Sequence, residues 1–394
     1  MMTMKPFDEL RVLDLSQGVA GPYCTMFLSD LGCQVVKVEP PWGDWGRTMG
    51  VKVGTNGSVV FSALNRNKQS CVVDARTCEG RQLLQSLASK IDILVESFRP
   101  GVMERLDLGW ELLHELNPSL IYCSISAFGA DGPYREKKGT DSILQGLSGF
   151  MSITGEEGGR PLKIGLAVSD MFAGVLASQA ILSAVLLRQY DQQGRHIEIS
   201  LMESLMELQR VQITDFLITG ELPKRKGNGH AHIVPSRSFC TADGEIMVAV
   251  ISHSDWINFC KALGLSGEFR DQFIDPRIRV QHQNDIYALV EPIFLKAPSR
   301  EWVDILEDHD ILCGMIYEYD TLFDDPQVKS LEIIDQASDP ATVKSPIRFI
   351  RGATWSTSSG APELGAHTGT VFNSCQEAKP TNHGINKLIH EENP

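Results

Sequence analysis

The 394-residue chain is predicted to be an α/β protein with a largely parallel sheet and a smaller second domain. Three observations predict it. Short β-rich runs alternate with helix-period runs through the first third, as crossover-connected parallel strands require. The composition, 42% apolar and 22% charged, is that of a soluble enzyme without low-complexity tracts. The pattern then changes abruptly near residue 221, and a separate hairpin signal follows.

In order, LRVLDLS (10–16) reads as a strand, YCTMFLSDLG as a helix stopped by Gly32, and QVVKVEP as the next strand. CVVDA (71–75), a helix over 79–89, DILVESF (92–98) and LIYCSISAF (120–128) continue the alternation. Ligands of such sheets sit beyond the carboxyl ends of the strands. The longest apolar stretch, KIGLAVSDMFAGVLASQAILSAVLL (163–187), reads as a helix buried in protein, because Asp170 and three serines interrupt it as a membrane span. ELPKRKGNGHAH is polar and basic with no period, and is read as a boundary and mobile loop. Beyond it, SFCTADGEIMVAVIS forms a hairpin about Asp243-Gly244, with helices over 255–263 and 300–307. A small α+β domain over about 225–325 follows from these features.

The net charge of −14 argues against nucleic acid and anionic membranes as partners. MMTMKPFDEL carries no secretion signal, and the nine cysteines include no CxxC pair, so the expected location is cytoplasmic with reduced thiols. His230 and His232 lack the partners of a metal motif, and no metal site is expected. Neither GxGxxG nor a Walker A sequence occurs, which disfavours a nicotinamide enzyme or a P-loop ATPase.

Several residues have both a structural and a chemical reading. In Val168-Ser169-Asp170-Met171, Ser and Asp suit a helix cap; a carboxylate there can also be a nucleophile, ionised by the helix dipole or protonated by burial. Arg66, Lys68, Arg76, Arg99 and Arg105 lie near successive strand ends, as scattered surface charge or as a polyphosphate grip. Gly227-Asn228-Gly229-His230 is a linker or a lid. Asp141, after Lys137-Lys138-Gly139-Thr140, reads most simply as another cap.

The ordered segments LDLSQGVAGPYCTMFLSDLGCQVVKVEPPWGDWGR, NRNKQSCVVDARTCEG, VESFRPGVMERLDLGWELLHELNPSLIYCSISAFGADGPY, GTDSILQGLSGFM and GLAVSDMFAG resemble the class III CoA transferases, the formyl-CoA transferase group. The resemblance spans essentially the chain. It implies a Rossmann-like large domain (1–224 and 326–394), a small inserted domain (225–325), and a homodimer of interlocked rings. It also implies an acyl-CoA and a carboxylic acid as substrates, with no permanent cofactor. By position Asp170 matches the nucleophile. Val19, Ala20, Val73, Arg76, Ser97, Phe98, Arg105 and Lys138 match CoA contacts. Asp141 matches an acid near the reacting acyl group, and Gly227 and Gly229 the glycine-bearing lid. GNGHAHIVPSRSF is similar to a branch that handles dicarboxylate thioesters, making succinyl-CoA a candidate donor.

This sequence departs from the family at Val19, where some members place glutamine, at Pro40, where some place arginine, and at Ser97, where asparagine can occur. The family also includes acyl-CoA racemases, which place histidine where Thr140 stands. Threonine does not titrate in a range that moves an α-proton, so transfer is favoured over racemisation, with a noncatalytic CoA-binding protein as the third reading.

Overall fold

The computed structural model describes residues 7–55, 57–336, 338–347 and 359–377. They form two compact units: one comprises the described residues up to Phe150, Lys163–Gly220 and those from Glu332 onward, the other Met151–Leu162 with Glu221–Leu331. The sequence reading had left 151–162 with the larger domain. Of its expected 326–394 segment, 337, 348–358 and 378–394 lie outside the described residues.

The first unit is built on strands β1 (Arg11–Asp14), β2 (Gln34–Glu39), β3 (Lys68–Val72), β4 (Ile93–Glu96), β5 (Ile121–Ser126) and β6 (Arg195–Ser200). They lie in the order β3-β2-β1-β4-β5-β6, and every pairing is parallel. This is the doubly wound Rossmann-like order, with its topological switch between β1 and β4.

Successive side chains enter opposite cores because the strand period is two. Val12, Val35, Ile93, Ile121 and Cys123 pack with Cys24 and Leu28 of helix α1 (Ala20–Asp30) and with Ala173, Ala177 and Ile181 of a long later helix. Leu13, Val38, Leu94 and Tyr122 face Leu84 and Leu87 of α2 (Cys78–Ala88) on the other side. Thr77 caps α2 by accepting from Gly80 N at 3.0 Å.

β3 lies about three residues earlier than the sequence pattern placed it, because its first residue is a buried charge. Lys68 Nζ donates to Asp14 Oδ2 at 3.1 Å and to Asn65 Oδ1 at 2.8 Å. Lys37 Nζ, also fully buried, meets Asp44 Oδ2 at 2.9 Å and Ser16 O at 2.8 Å. Burial alone would raise the Asp14 carboxyl, but Lys37, Lys68 and the hydroxyls of Ser16 and Thr25 outweigh it and hold it at about 2. Such a group is tolerable in a core only because each charge has partners.

The long apolar stretch forms α4 (Val168–Asp191), preceded by α3 (Asp141–Leu147). By length and composition α4 could cross a membrane; here its small-residue face lies on α1. A Cβ on Gly174 would stand 2.7 Å from Ala20 O, so only glycine permits this approach. The expectation of a buried helix holds for that face alone. Val175, Leu186, Leu187 and Tyr190 are exposed in the single chain, Tyr190 to 88%.

In the second unit β7 (Ser236–Cys240) and β8 (Glu245–Ala249) form the hairpin about Asp243-Gly244, and β9 (Leu312–Met315) completes an antiparallel sheet in the order β9-β8-β7. Helices His253–Ala262, Gln283–Phe294 and Ser299–Asp308 bury Trp256, Phe259, Phe294 and Trp302 against it.

Candidate active site

Asp170 sits in the first turn of α4, partly buried, but it is not the cap. The residue before the helix is Ala167, which has no side-chain acceptor to offer. Asp141 supplies one from the neighbouring helix: its Oδ1 accepts from Ser169 N at 2.9 Å and from Ser169 Oγ at 2.8 Å. Its Oδ2 accepts from Gln145 Nε2 at 2.8 Å. The fully buried Gln145 then accepts from Ile164 N at 3.0 Å. One carboxylate and one amide thus fix the chain at Ile164 and Ser169, on the approach to Asp170. Asp141, expected near the acyl group, has both oxygens committed to this clamp.

The competition between helix dipole and burial is decided by burial. Loss of solvent, reinforced by the negative charge of Asp141, pushes the Asp170 carboxyl up to about 7. A carboxylate of that basicity is a stronger nucleophile than an ordinary aspartate once ionised. Asp170 and Gly174 are one turn apart on a common face, and Gly174 abuts Ala20. The nucleophile candidate therefore stands about one helical turn from that contact with the start of α1, where Val19 precedes the first turn without a side-chain cap.

The loop from β1 into α1 is held from beneath. Gly18 N donates to Asp44 Oδ1 at 3.0 Å, and Asp44 is anchored by Lys37. Gln17 N donates to Ser97 Oγ at 3.1 Å. Ser97 thus spends its hydroxyl joining the loops after β1 and β4, at the switch point.

Across the carboxyl ends of β1 to β4 opens a mainly apolar pocket of about 160 Å³. Val73, Arg76 and Phe98, three of the eight positions that the resemblance matches to CoA contacts, line it together with Leu15, Gln17, Val38, Pro40, Trp42 and Leu108. Arg105 and Lys138 are exposed and do not line this pocket. Arg76 is already paired: Nε and Nη2 donate to Asp74 at 2.9 and 2.8 Å. Arg66 and Lys68 are not phosphate ligands at all. Arg66 is buried and pairs with Asp30, and Lys68 belongs to the Asp14 group. Arg99 lines a different recess, with Glu96, Glu104, His196 and Glu198. There burial pushes the Glu96 carboxyl up to about 7. Trp42 was legible only as a tryptophan in the PPWGDW turn after a strand, and the sequence reading did not single it out.

In the second unit, Gly227 has φ +55° and lies against Glu156, whose Oε2 would be 2.5 Å from an added Cβ. Gly227 N donates to Gly155 O at 2.9 Å and Gly229 N to Lys226 O at 2.8 Å. Both glycine amides are therefore satisfied within their own unit. Among the described residues no group of three or more His, Cys, Asp or Glu side chains could hold a metal.

A Rossmann-like sheet with a pocket at its switch point and a basic, mounted carboxylate on a neighbouring helix is the arrangement of an α/β protein suited to acyl-group transfer. The model of CoA-transferase family III matches residues 7–368, and the chain belongs to that family as a CoA-transferase. It is similar to the succinate–glutarate CoA-transferase of Agrobacterium fabrum, 33% identical over 387 residues covering 93% of this chain and 95% of that one. It is also similar to the succinyl-CoA:glutarate CoA-transferase of Mus musculus, 32% identical over 372 residues covering 93% and 85%. A crystal structure of a CAIB/BAIF family protein from Brucella suis superposes with a TM-score of 0.86 at 34% identity, over 94% of this chain and 99% of that one.

Proposed function

We propose that the protein moves CoA reversibly between a dicarboxylyl-CoA and a second carboxylic acid, with Asp170 as the covalent carrier. The observation that carries this reading is the raised Asp170 carboxyl held on the Asp141–Ser169 clamp at the start of α4. Ionised Asp170 attacks the donor thioester carbonyl; the carbon–sulfur bond breaks, leaving an acyl-aspartyl anhydride and CoA thiolate. The thiolate attacks the aspartyl carbonyl, releasing the donor acid and leaving an aspartyl-CoA thioester. The acceptor carboxylate attacks that carbonyl and expels thiolate, which then attacks the acceptor's acyl carbon and restores Asp170. Each step exchanges acyl groups of similar activation, so the sequence balances without ATP. Shielding from water protects the anhydride from hydrolysis.

Succinyl-CoA as donor and a C4 or C5 dicarboxylate as acceptor are supported by the names of the relatives, and Val73 and Phe98 in the pocket wall support CoA binding there. A homodimer of interlocked rings is supported by uncovered apolar surface. Helix α5 (Arg210–Thr219) has no buried residue, with Val211 at 74% and Ile218 at 79% exposure. A second copy is the occupant that would bury these residues.

The test is to quench the purified enzyme with hydroxylamine during incubation with succinyl-CoA and glutarate, then map the modified peptide. Mass added at Asp170, together with glutaryl-CoA formation, is expected. CoA transfer proceeding with Asp170 unmodified, or sustained by Asp170→Ala, excludes it as the carrier.

A further inference from the structure

The acids at the carboxyl ends of β4 to β6 take no part in the transfer steps. Glu96 ends β4 and is only 5% exposed. Its Oε2 accepts from Phe98 N at 2.8 Å. Ser124, its cross-strand neighbour on β5, hydrogen-bonds the same carboxyl, and Ser124 Oγ lies 3.1 Å from Nε2 of His196 on β6. The His196 ring is held in place, stacked on Trp110 at 5.4 Å and against the edge of Tyr122 at 5.1 Å. Partial burial there keeps it below the ordinary imidazole value, so it is neutral at pH 7.

Glu104 of the short helix Val102–Arg105 and Glu198 of β6 face the same recess, which the exposed Arg99 and Arg135 also line. Burial is the main cause of the raised Glu96 carboxyl, and the charges of Glu104 and Glu198 add to it. The hydroxyl of Tyr122 is committed elsewhere, donating to Leu108 O at 3.2 Å. The recess encloses about 80 Å³, too little for a cofactor-sized ligand, so these groups act on the chain around them.

What Glu96 holds is the turn after β4. Ser97 Oγ accepts from Gln17 N on one side of that turn, and Phe98 lines the apolar pocket. With its proton in place, Glu96 donates to Ser124, Ser124 donates to the bare Nε2 of His196, and the other carboxyl oxygen keeps Phe98 N. Every polar atom of the chain is then satisfied. Loss of the proton leaves a buried charge facing two other glutamates. It also reverses the chain, because Ser124 must donate to the carboxylate and His196 must carry its proton on Nε2.

We propose that Glu96 is a positioning residue for acyl-CoA: protonated, it locks the Ser97–Phe98 turn in its binding form, and ionised, it releases that turn toward solvent, where the charge is hydrated. This rests on the proposed CoA-transfer reading and makes thioester affinity, rather than the chemical step, fall on the alkaline side of neutrality.

Binding and turnover are read separately. Affinity for desulfo-CoA, which has no thiol to titrate, is measured by calorimetry from pH 6 to 9 for wild type and Glu96→Gln, with circular dichroism to confirm folding. KM and kcat for succinyl-CoA are followed over the same range. Glutamine keeps an oxygen for Phe98 N and an amide for Ser124 but cannot ionise. Wild-type affinity should fall above pH 7, by up to about tenfold per pH unit once the protonated form is the minority, with KM rising in parallel and kcat level. The Glu96→Gln profile should be flat there. Two results overturn the proposal. One is wild-type affinity that does not change above pH 7. The other is a fall that Glu96→Gln shares, which would place the titrating group elsewhere, as at Lys68, held by burial at about 8. Wild type that binds desulfo-CoA with the expected profile but transfers CoA to no acid would defeat the transferase reading and leave the role of Glu96 standing.

Discussion

At the scale of single residues, the proposed role of Asp170 ties activity and stability to the same proton. Burial lifts its folded pKa to about 7, above the ordinary 3.8 of an aspartate, so the folded state holds the proton more tightly than the unfolded chain does. Stability therefore falls as pH rises from about 4 to 7, and the cost is complete above 7. Asp170→Asn should be close to neutral at pH 4 and more stable than wild type at pH 8. The gain there is on the order of 2 kcal/mol, less than the full shift implies because the group is only partly buried; urea melts at the two pH values measure it. The acyl-transfer rate of wild type should drop about tenfold per pH unit below 7, as the ionised nucleophile is titrated away. Asp141→Asn keeps an oxygen for Ser169 but removes the neighbouring charge. Its activity profile should shift to lower pH, and an unshifted acid limb would show that Asp141 does not set the basicity of Asp170.

At the scale of elements, the nucleophile candidate is positioned by the contact between α1 and α4. Gly174→Val would drive side-chain atoms into the carbonyl of Ala20 and should cost about 1–3 kcal/mol, read as a lower Tm with a larger fall in kcat than in CoA affinity. Much of this frame was legible. Leu13, Val36 and Leu94 announce strands by alternation, and the Asp243-Gly244 hairpin follows from turn chemistry. β6 was missed because RHIEIS places His196 and Glu198 on one side of an edge strand, which weakens the apolar signal. β3 was misplaced because Lys68 is buried by a carboxylate 54 positions away. In the site, Asp170 could be picked out, whereas its clamp could not: Asp141 and Ser169 are 28 residues apart, and no local pattern encodes that meeting.

At the scale of the whole molecule, the apolar flank of α4 and α5 is the feature that a lone chain leaves unfinished. Leu217→Glu with Ile218→Glu places two charges on residues that are 76% and 79% exposed in the single chain, so the fold of one protomer should tolerate them. Sedimentation at micromolar concentration should show wild type as a dimer and the double variant shifted to monomer; an unchanged dimer would place the subunit contact elsewhere. On the proposed dimer, the same bare flank would also shape how the protein is made. Pairing needs two chains to meet, while clumping through sticky surface is of higher order in concentration. Recovery from denaturant should therefore peak at an intermediate dilution, with chains left single below it and lost to precipitate above it.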